Sequence, residues 1–282
     1  MRTGTPQQGT PRQGQSLAIY EFDLLKPYRE RLLAGCTGRG GGVSKPPYDE
    51  LNVGLHVGDD PRSVLENRHR VAQALGVELS SFVIPQQVHR GEVRVVTTAE
   101  RGRGALTGED ALPEADALIT REAGLILAVM LADCVPVIVF DPLTPAVGVI
   151  HAGWAGTVQH VTHNTIEAMR SEFGSDPSQL LAGVGPSIGP ASYEVGADVA
   201  ERAQAEFPAA EVVRSLGEEK YLFDLWSSNV ADLINGGVAR EHIEVAELDT
   251  FQMSARFFSH RRQQPTGRFL AFASLLGHAY HA

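Results

Sequence analysis

The sequence predicts an α+β fold, a single domain of mixed β-sheets packed with helices. Three observations predict it. Residues 127–141 and 147–151 are apolar runs rich in β-branched residues, the pattern of strands covered on both faces. Amphipathic helical stretches begin near residues 60, 157, 197 and 224. Strands and helices follow one another without strict βαβ alternation, which disfavours a doubly wound sheet. No internal repeat and no long linker divides the chain, so residues 17–282 are expected to form one domain. Residues 1–16 are Gln, Gly, Thr and Pro with few apolar side chains and are expected to be a disordered tail.

Taken in order, the first feature is a glycine-rich loop from Ala34 to Tyr48, able to bring backbone N–H groups and Arg39 close to an anion. No helix follows the glycines directly, so it is not a nucleotide-binding fingerprint. Residues 51–59 continue it. Asp60 and Pro61 then suit the N-cap and first position of a helix that Gly76 stops, with Val64, Leu65, Val71 and Leu75 on one face and His69 on the solvated side. Residues 82–89 and 93–96 read as two strands joined by a turn at Arg90-Gly91, with His89 at the turn. Residues 114–120 are a further strand leading into the central pair.

In that pair, Asp133-Cys134 interrupts the first apolar run and His151 closes the second, just before Gly153-Trp154-Ala155-Gly156. A thiol and an imidazole at the ends of adjacent buried strands suit either a nucleophile with its base or two ligands of one metal. The helix that follows carries Val158, Val161, Ile166, Met169 and Phe173 on one face, leaving His160 and His163 on the solvated one. Residues 180–184 form a short strand running into a loop stiffened by Pro186 and Pro190. Two helices, at 197–207 and 224–235, precede strands at 243–248 and 269–275.

Composition narrows the function. A net charge of −10 without Lys/Arg clusters argues against nucleic acid or an anionic membrane as an obligate partner. Two cysteines suit a reducing cytoplasm, no apolar run approaches the roughly 20 residues of a membrane span, and no signal-peptide h-region is evident.

Several stretches together resemble one family. They are Gln87-Val-His89, Ala115-Asp-Ala-Leu-Ile119, Ala132-Asp-Cys-Val-Pro136, His151-Ala-Gly-Trp154, Gly185-Pro-Ser-Ile-Gly-Pro190 with Tyr193-Glu-Val195, and Phe257-Phe-Ser-His-Arg-Arg262 with Thr266-Gly-Arg268. The opening Arg39-Gly-Gly-Gly-Val-Ser44 and Leu51-Asn52 fit as well. The chain is similar to the laccase-domain family, also called the multicopper polyphenol oxidase or purine nucleoside phosphorylase family, whose bacterial members are sometimes named peptidoglycan editing factors. The resemblance implies a laccase-domain-like, cysteine-hydrolase-type fold. It also implies Zn2+ held by His89, Cys134 and His151, with a fourth position left open as catalytic zinc requires. The implied substrates are purine nucleosides: phosphorolysis of adenosine, inosine, guanosine or methylthioadenosine, and deamination of adenosine. Copper is disfavoured, because multicopper oxidases need His-x-His and His-Cys-His pairs that are absent here.

The expected catalytic set is Cys134, His151, His89 and Asp133, and the expected phosphate holders are Arg39, Asn52, Arg261 and Arg262. The family usually has Arg after His-Ala-Gly-Trp, where this chain has Ala155, and often has cysteines where this chain has Ala191, Ser192 and Asp249. Two other readings fit the same residues. One is a metal-free cysteine hydrolase or editing factor acting on peptidoglycan precursors, with Cys134 attacking, His151 or His89 as base and Asp133 or Glu194 orienting it. The other is a protein that binds a nucleotide-linked precursor without chemistry.

Overall fold

The computed structural model describes residues 17–277. The expected tail at 1–16 and the last five residues of the expected domain lie outside the described residues. In chain order the strands are β1 (Ile19–Tyr20), β2 (Leu32–Thr37), β3 (Phe82–Val83), β4 (Val93–Val95), β5 (Ala117–Thr120), β6 (Ile126–Leu131), β7 (Val135–Asp141), β8 (Ala146–Ala152), β9 (Leu181–Val184), β10 (Glu194–Gly196), β11 (Val213–Gly217), β12 (Lys220–Phe223), β13 (Ile243–Val245) and β14 (Phe269–Leu275). The α-helices are α1 (Pro61–Leu75), α2 (Trp154–Thr157), α3 (Val161–Phe173), α4 (Ala197–Glu206) and α5 (Leu225–Asn235).

The strands form a five-stranded sheet in the order β1-β2-β14-β6-β3 and a six-stranded sheet in the order β13-β9-β7-β8-β5-β4, with β10-β12-β11 as a small third sheet. Both larger sheets are mixed, since β3–β6, β4–β5 and β9–β13 are parallel pairs among antiparallel ones. The expected α+β domain of mixed sheets and helices is what the chain forms. Strand alternation sorts its core into layers. Leu127, Val129 and Leu131 of β6 face Ile138 and Phe140 of β7 and Val147 and Val149 of β8 between the sheets. Ile126 and Ala128 point the other way, onto Val71 and Ala72 of α1. On the far face, Val135, Val137 and Val139 meet Ile166 and Met169 of α3 and Leu233 of α5. The order is helix, sheet, sheet, helices, so every central strand is covered on both faces. Each fully buried Leu, Ile, Val or Phe contributes about 1.5–3 kcal/mol to holding the layers together.

Helix boundaries follow local chemistry. Asp60 caps α1 by accepting from the Arg62 amide, and Gly76, at φ 69°, ends it in the left-handed conformation that glycine adopts without strain. The helix expected over 158–173 begins later, as α3 at Val161, after His160 turns left-handed at φ 56°, and the short α2 precedes it at Trp154–Thr157. Among the described residues no helix is long and apolar enough to cross a membrane.

Three expectations are corrected. The apolar run 127–141 is not one strand: β6 belongs to the five-stranded sheet and β7 to the six-stranded one, and the chain crosses between them at Ala132-Asp133-Cys134, with Asp133 at φ 85°. Only β7 and β8 are neighbours in a sheet. Residues 82–89 and 93–96 are not a hairpin, because β3 pairs with β6 and β4 with β5 in different sheets. The first residues of the expected glycine-rich loop form β2, paired with β14 along its length. These changes matter at the site, since the chain segments that leave one sheet for the other carry its chemistry.

Candidate metal centre

Cys134 sits at the corner where the chain leaves β6 for β7, His151 at the end of β8, and His89 on the segment after β3. Their ligand atoms all lie within 4.8 Å of one another. Cys134 Sγ is 3.9 Å from His89 Nε2, and the two imidazole centroids are 4.7 Å apart with planes at 86°. His151 is buried, Cys134 half-buried and His89 exposed, so the cluster opens to solvent on the His89 side. One thiolate and two imidazoles at these separations are the donor set of a tetrahedral site that keeps a position for water or substrate.

The residue that organises this geometry is Asp116, fully buried ahead of β5. Its carboxylate accepts from the backbone amides of Val88 at 3.2 Å, His89 at 3.1 Å and Arg90 at 2.7 Å. That grip holds His89 in a left-handed conformation, φ 57°, which a non-glycine residue rarely adopts unaided. The same carboxylate is 2.7 Å from His151 Nδ1, which donates to it and leaves Nε2 free to face Cys134. One carboxylate thus orients two histidines, one in the segment after β3 and one at the end of β8, as acids behind metal-bound histidines do. Sequence reading took Asp116 only as part of a strand and a motif.

Backbone approach needs glycine next door. A Cβ on Gly153 would lie 2.9 Å from His89 Cδ2 and 3.1 Å from Cys134 Sγ, too close for either ligand to stay.

Charge is tuned within the cluster. Burial opposes ionisation of the Cys134 thiol, but the His151 charge and the bonds from His151 and His89 bring its pKa down to about 6. Burial likewise opposes the His151 imidazolium, and Cys134 and Asp116 raise its pKa to about 9. Both shifts favour a thiolate–imidazolium pair at neutral pH, ready to give its proton to solvent when a cation arrives.

The other expected site residues divide. Asp133 adjoins Cys134, but its oxygens accept from Thr250 Oγ1 and the Arg261 amide, both at 2.6 Å, so it pins two loops to the corner instead of orienting a histidine. Arg261 is exposed, places its guanidinium 5.0 Å over the Tyr193 ring and donates to the Glu194 carbonyl at 2.6 Å. Arg262 lies over Phe251 and donates to that residue's carbonyl. Arg39 spends its fork on the carbonyls of Asp49 and Ser254, pairs with the Asp49 carboxylate and stacks on Phe258. Asn52 is fully buried and bonded to Gly54, Asp59 and the Arg268 amide. Both hold the glycine-rich segment together and have little left for a ligand. Glu194 is exposed and pairs with Lys220.

Two of the positions that depart from the family pattern meet in space, where Ser192 Oγ donates to Asp249 at 2.6 Å. Beside Ala155, the Arg202 guanidinium lies 5.4 Å over the Trp154 ring. An open cavity of about 360 Å³ is lined by Trp154, three residues beyond His151, with Tyr193, Glu194, Val195, Lys220 and Arg261 among others, and none of the three cluster side chains lines it. His160 is not merely solvated, since its ring bridges Asp232 and Glu206 at 2.8 and 3.2 Å.

Residues 33–276 match the family described as multi-copper polyphenol oxidoreductase laccase. Purine nucleoside phosphorylase YlmD of Bacillus subtilis (strain 168) is 36% identical over 262 residues, covering 92% of this chain and 94% of that protein. The crystal structure of Bacillus licheniformis hypothetical protein YfiH superposes with a TM-score of 0.86 at 33% identity, covering 93% of this chain and 97% of that one. The structure of YlmD from Geobacillus stearothermophilus superposes with a TM-score of 0.85 at 38% identity, covering 87% and 92%. With all five α-helices and the His-Cys-His cluster inside the matched span, this protein belongs to the multi-copper polyphenol oxidoreductase laccase family.

Proposed function

We propose that the chain is a zinc-dependent purine nucleoside phosphorylase acting on adenosine, inosine, guanosine or methylthioadenosine, and that it also deaminates adenosine. The observation that carries this reading is the convergence of the ligand atoms of His89, Cys134 and His151 within 4.8 Å of one another. The relatives named as purine nucleoside phosphorylases support it, because they align over nearly the whole chain. Zinc suits a thiolate with two imidazoles better than a copper cluster does: among the described residues only these three form a ligating group, and a multicopper oxidase builds its blue-copper and trinuclear sites from many more histidines. Bound there, zinc would supply Lewis-acid stabilisation of developing charge and an activated water.

The chain's own residues do the rest. Asp116 fixes both histidines, and the Trp154 and Tyr193 rings offer flat apolar walls for a purine. Arg261 backs the Tyr193 ring. The free thiols, Cys36 buried and Cys134 at the site, suit a reducing cytoplasm.

A second reading is favoured by one feature. Cys134, His151 and Asp116 line up as thiolate, imidazolium and carboxylate, the arrangement of a cysteine hydrolase. Zinc-replete protein incubated with adenosine, with and without phosphate, and analysed by chromatography tests both. Adenine released only with phosphate is the expected result, with inosine formed in either condition by the deaminase activity. No product in either condition would refute the nucleoside assignment.

A further inference from the structure

The proposed phosphorolysis needs a seat for phosphate, and the arginines that the sequence nominates are largely committed elsewhere. Three side chains that the sequence leaves unassigned gather at the cluster instead. Arg268 packs over the loop that holds His56: its backbone amide donates to Asn52 Oδ1 at 2.8 Å, and its Cγ lies 2.9 Å from where a Gly54 Cβ would be. One arm of its guanidinium is used, Nη1 donating to the carbonyls of Thr266 and Gly267. Among the described residues, Nε and Nη2 have no protein acceptor and the guanidinium has no carboxylate partner. His260 precedes Arg261, whose amide is bonded to Asp133, the neighbour of Cys134. The His56 and His260 rings are exposed and make no hydrogen bond among the described residues.

Register and bonding bring all three to the corner: Phe269 pairs with Leu131 of β6, so Arg268 enters opposite the Ala132-Asp133-Cys134 turn, His260 precedes the amide bonded to Asp133, and His56 follows the Gly54 backbone that Arg268 packs on. Burial lowers the basicity of Arg268, and the negative charges of Cys134 and Asp133 oppose that. Partial enclosure, then Arg268, Arg68, His89 and His151, lower that of His56. Partial enclosure also lowers that of His260, with Arg268, Arg261 and His89 in the same direction and Asp133 against. Neutral imidazoles still offer one N–H donor each. Behind them Arg68, 4% exposed, is bonded only to the carbonyls of Val53, Gly104 and Ala105 and to the Met130 sulfur, so its buried charge is not cancelled by a carboxylate. In a chain of net charge −10, two arginines without carboxylate partners give this corner local positive charge that favours an anion.

We infer that Arg268, His56 and His260 form an oxyanion seat that takes inorganic phosphate on the side of Cys134 reached by these three residues. The inference rests on the phosphorylase reading. From that seat a phosphate oxygen bonds to the anomeric carbon as the bond from that carbon to the purine nitrogen breaks. The bonding pair leaves with the purine, and the proton of hydrogen phosphate passes to it, so the products are the sugar phosphate dianion and the neutral base.

Calorimetric titration of the zinc-replete full chain with inorganic phosphate, without nucleoside, reads the seat directly. Arg268→Gln is expected to raise the Kd for phosphate by about 10-fold or more, and Arg268→Lys by less, since charge without the fork is retained. His56→Gln and His260→Gln, on exposed rings with no internal bonds to lose, keep the test open should Arg268→Gln fold poorly. Each is expected to raise the Kd by about 3–10-fold. In turnover with adenosine, the same variants should raise KM for phosphate and leave KM for nucleoside nearly unchanged. Wild-type protein that binds no phosphate, or variants that bind it as wild type does, would overturn the seat even if adenine is released. Phosphate binding that these variants weaken, in a protein that releases no adenine, would uphold the seat and reject the phosphorylase reading.

Discussion

Replacing Cys134 with Ala is expected to cut adenine release by on the order of 10³-fold, because several kcal/mol of transition-state charge stabilisation leaves with the metal. The fold should persist. Cys134 is half-buried at a corner whose backbone is fixed by Asp133, through Thr250 Oγ1 and the Arg261 amide, and not by the thiol. In metal-stripped wild type, iodoacetamide should modify Cys134 and spare Cys36, which is wholly buried and whose thiol burial holds in the protonated form. The thiolate is the reactive form, and the Cys134 pKa lies near 6, so the rate should be high at pH 7 and fall as pH drops through about 6. Added zinc should protect. Adenosine phosphorolysis that survives at the wild-type rate in Cys134→Ala would remove the thiolate from the account.

Asp116→Asn should be nearly as damaging, by a different route. The carboxylate accepts from three backbone amides and His151, and an amide in its place has one acceptor oxygen and brings an NH₂ toward donors. Each buried N–H left without a partner costs about 1–3 kcal/mol, so a stability loss of about 3–5 kcal/mol is expected. His89 would lose what holds its left-handed turn, and His151 its fixed tautomer, with metal affinity falling about 10–100-fold. The pH dependence separates this role from simple packing. Burial pushes the Asp116 pKa up, but the His151 bond and charge and the amides of Arg90 and His89 outweigh it and hold it below the ordinary carboxylate value. A depressed carboxylate stabilises the fold above its unfolded pKa, about 4, and loses that contribution as pH falls through the lower folded value. Wild-type Tm should therefore drop on acidification below about pH 4, and Asp116→Asn should lack that part of the drop. Wild-type metal affinity in Asp116→Asn would contradict the assignment.

What the sequence discloses and what it hides follow from range. Cys134 and His151 stand out because a reactive side chain at the end of an apolar run has no core duty, and His89 joins them through its motif. Asp116 does not stand out, since its work is done at residues 88–90 and 151, and no local pattern records such contacts. Arg39 and Asn52 lie in a glycine-rich segment that looks made for an anion, yet their polar groups are consumed by long-range partners such as Ser254 and Arg268. The sheet change at Asp133 is invisible to periodicity, because strands covered on both faces read as one continuous apolar run. The β11–β12 hairpin escapes for another reason. Its turn places Glu218 and Glu219 at φ 52° and 58°, where Asn or Gly is the usual signal, and β11 is largely exposed.

The central claim is that His89, Cys134 and His151 hold one catalytic zinc. Elemental analysis of the purified chain by mass spectrometry, beside adenosine turnover on the same samples, tests it most directly. About one zinc per chain is the predicted result, lost together with activity in Cys134→Ala, His89→Ala and His151→Ala. Metal-free protein with full activity that alkylation of Cys134 abolishes would contradict it and leave the cysteine hydrolase in its place.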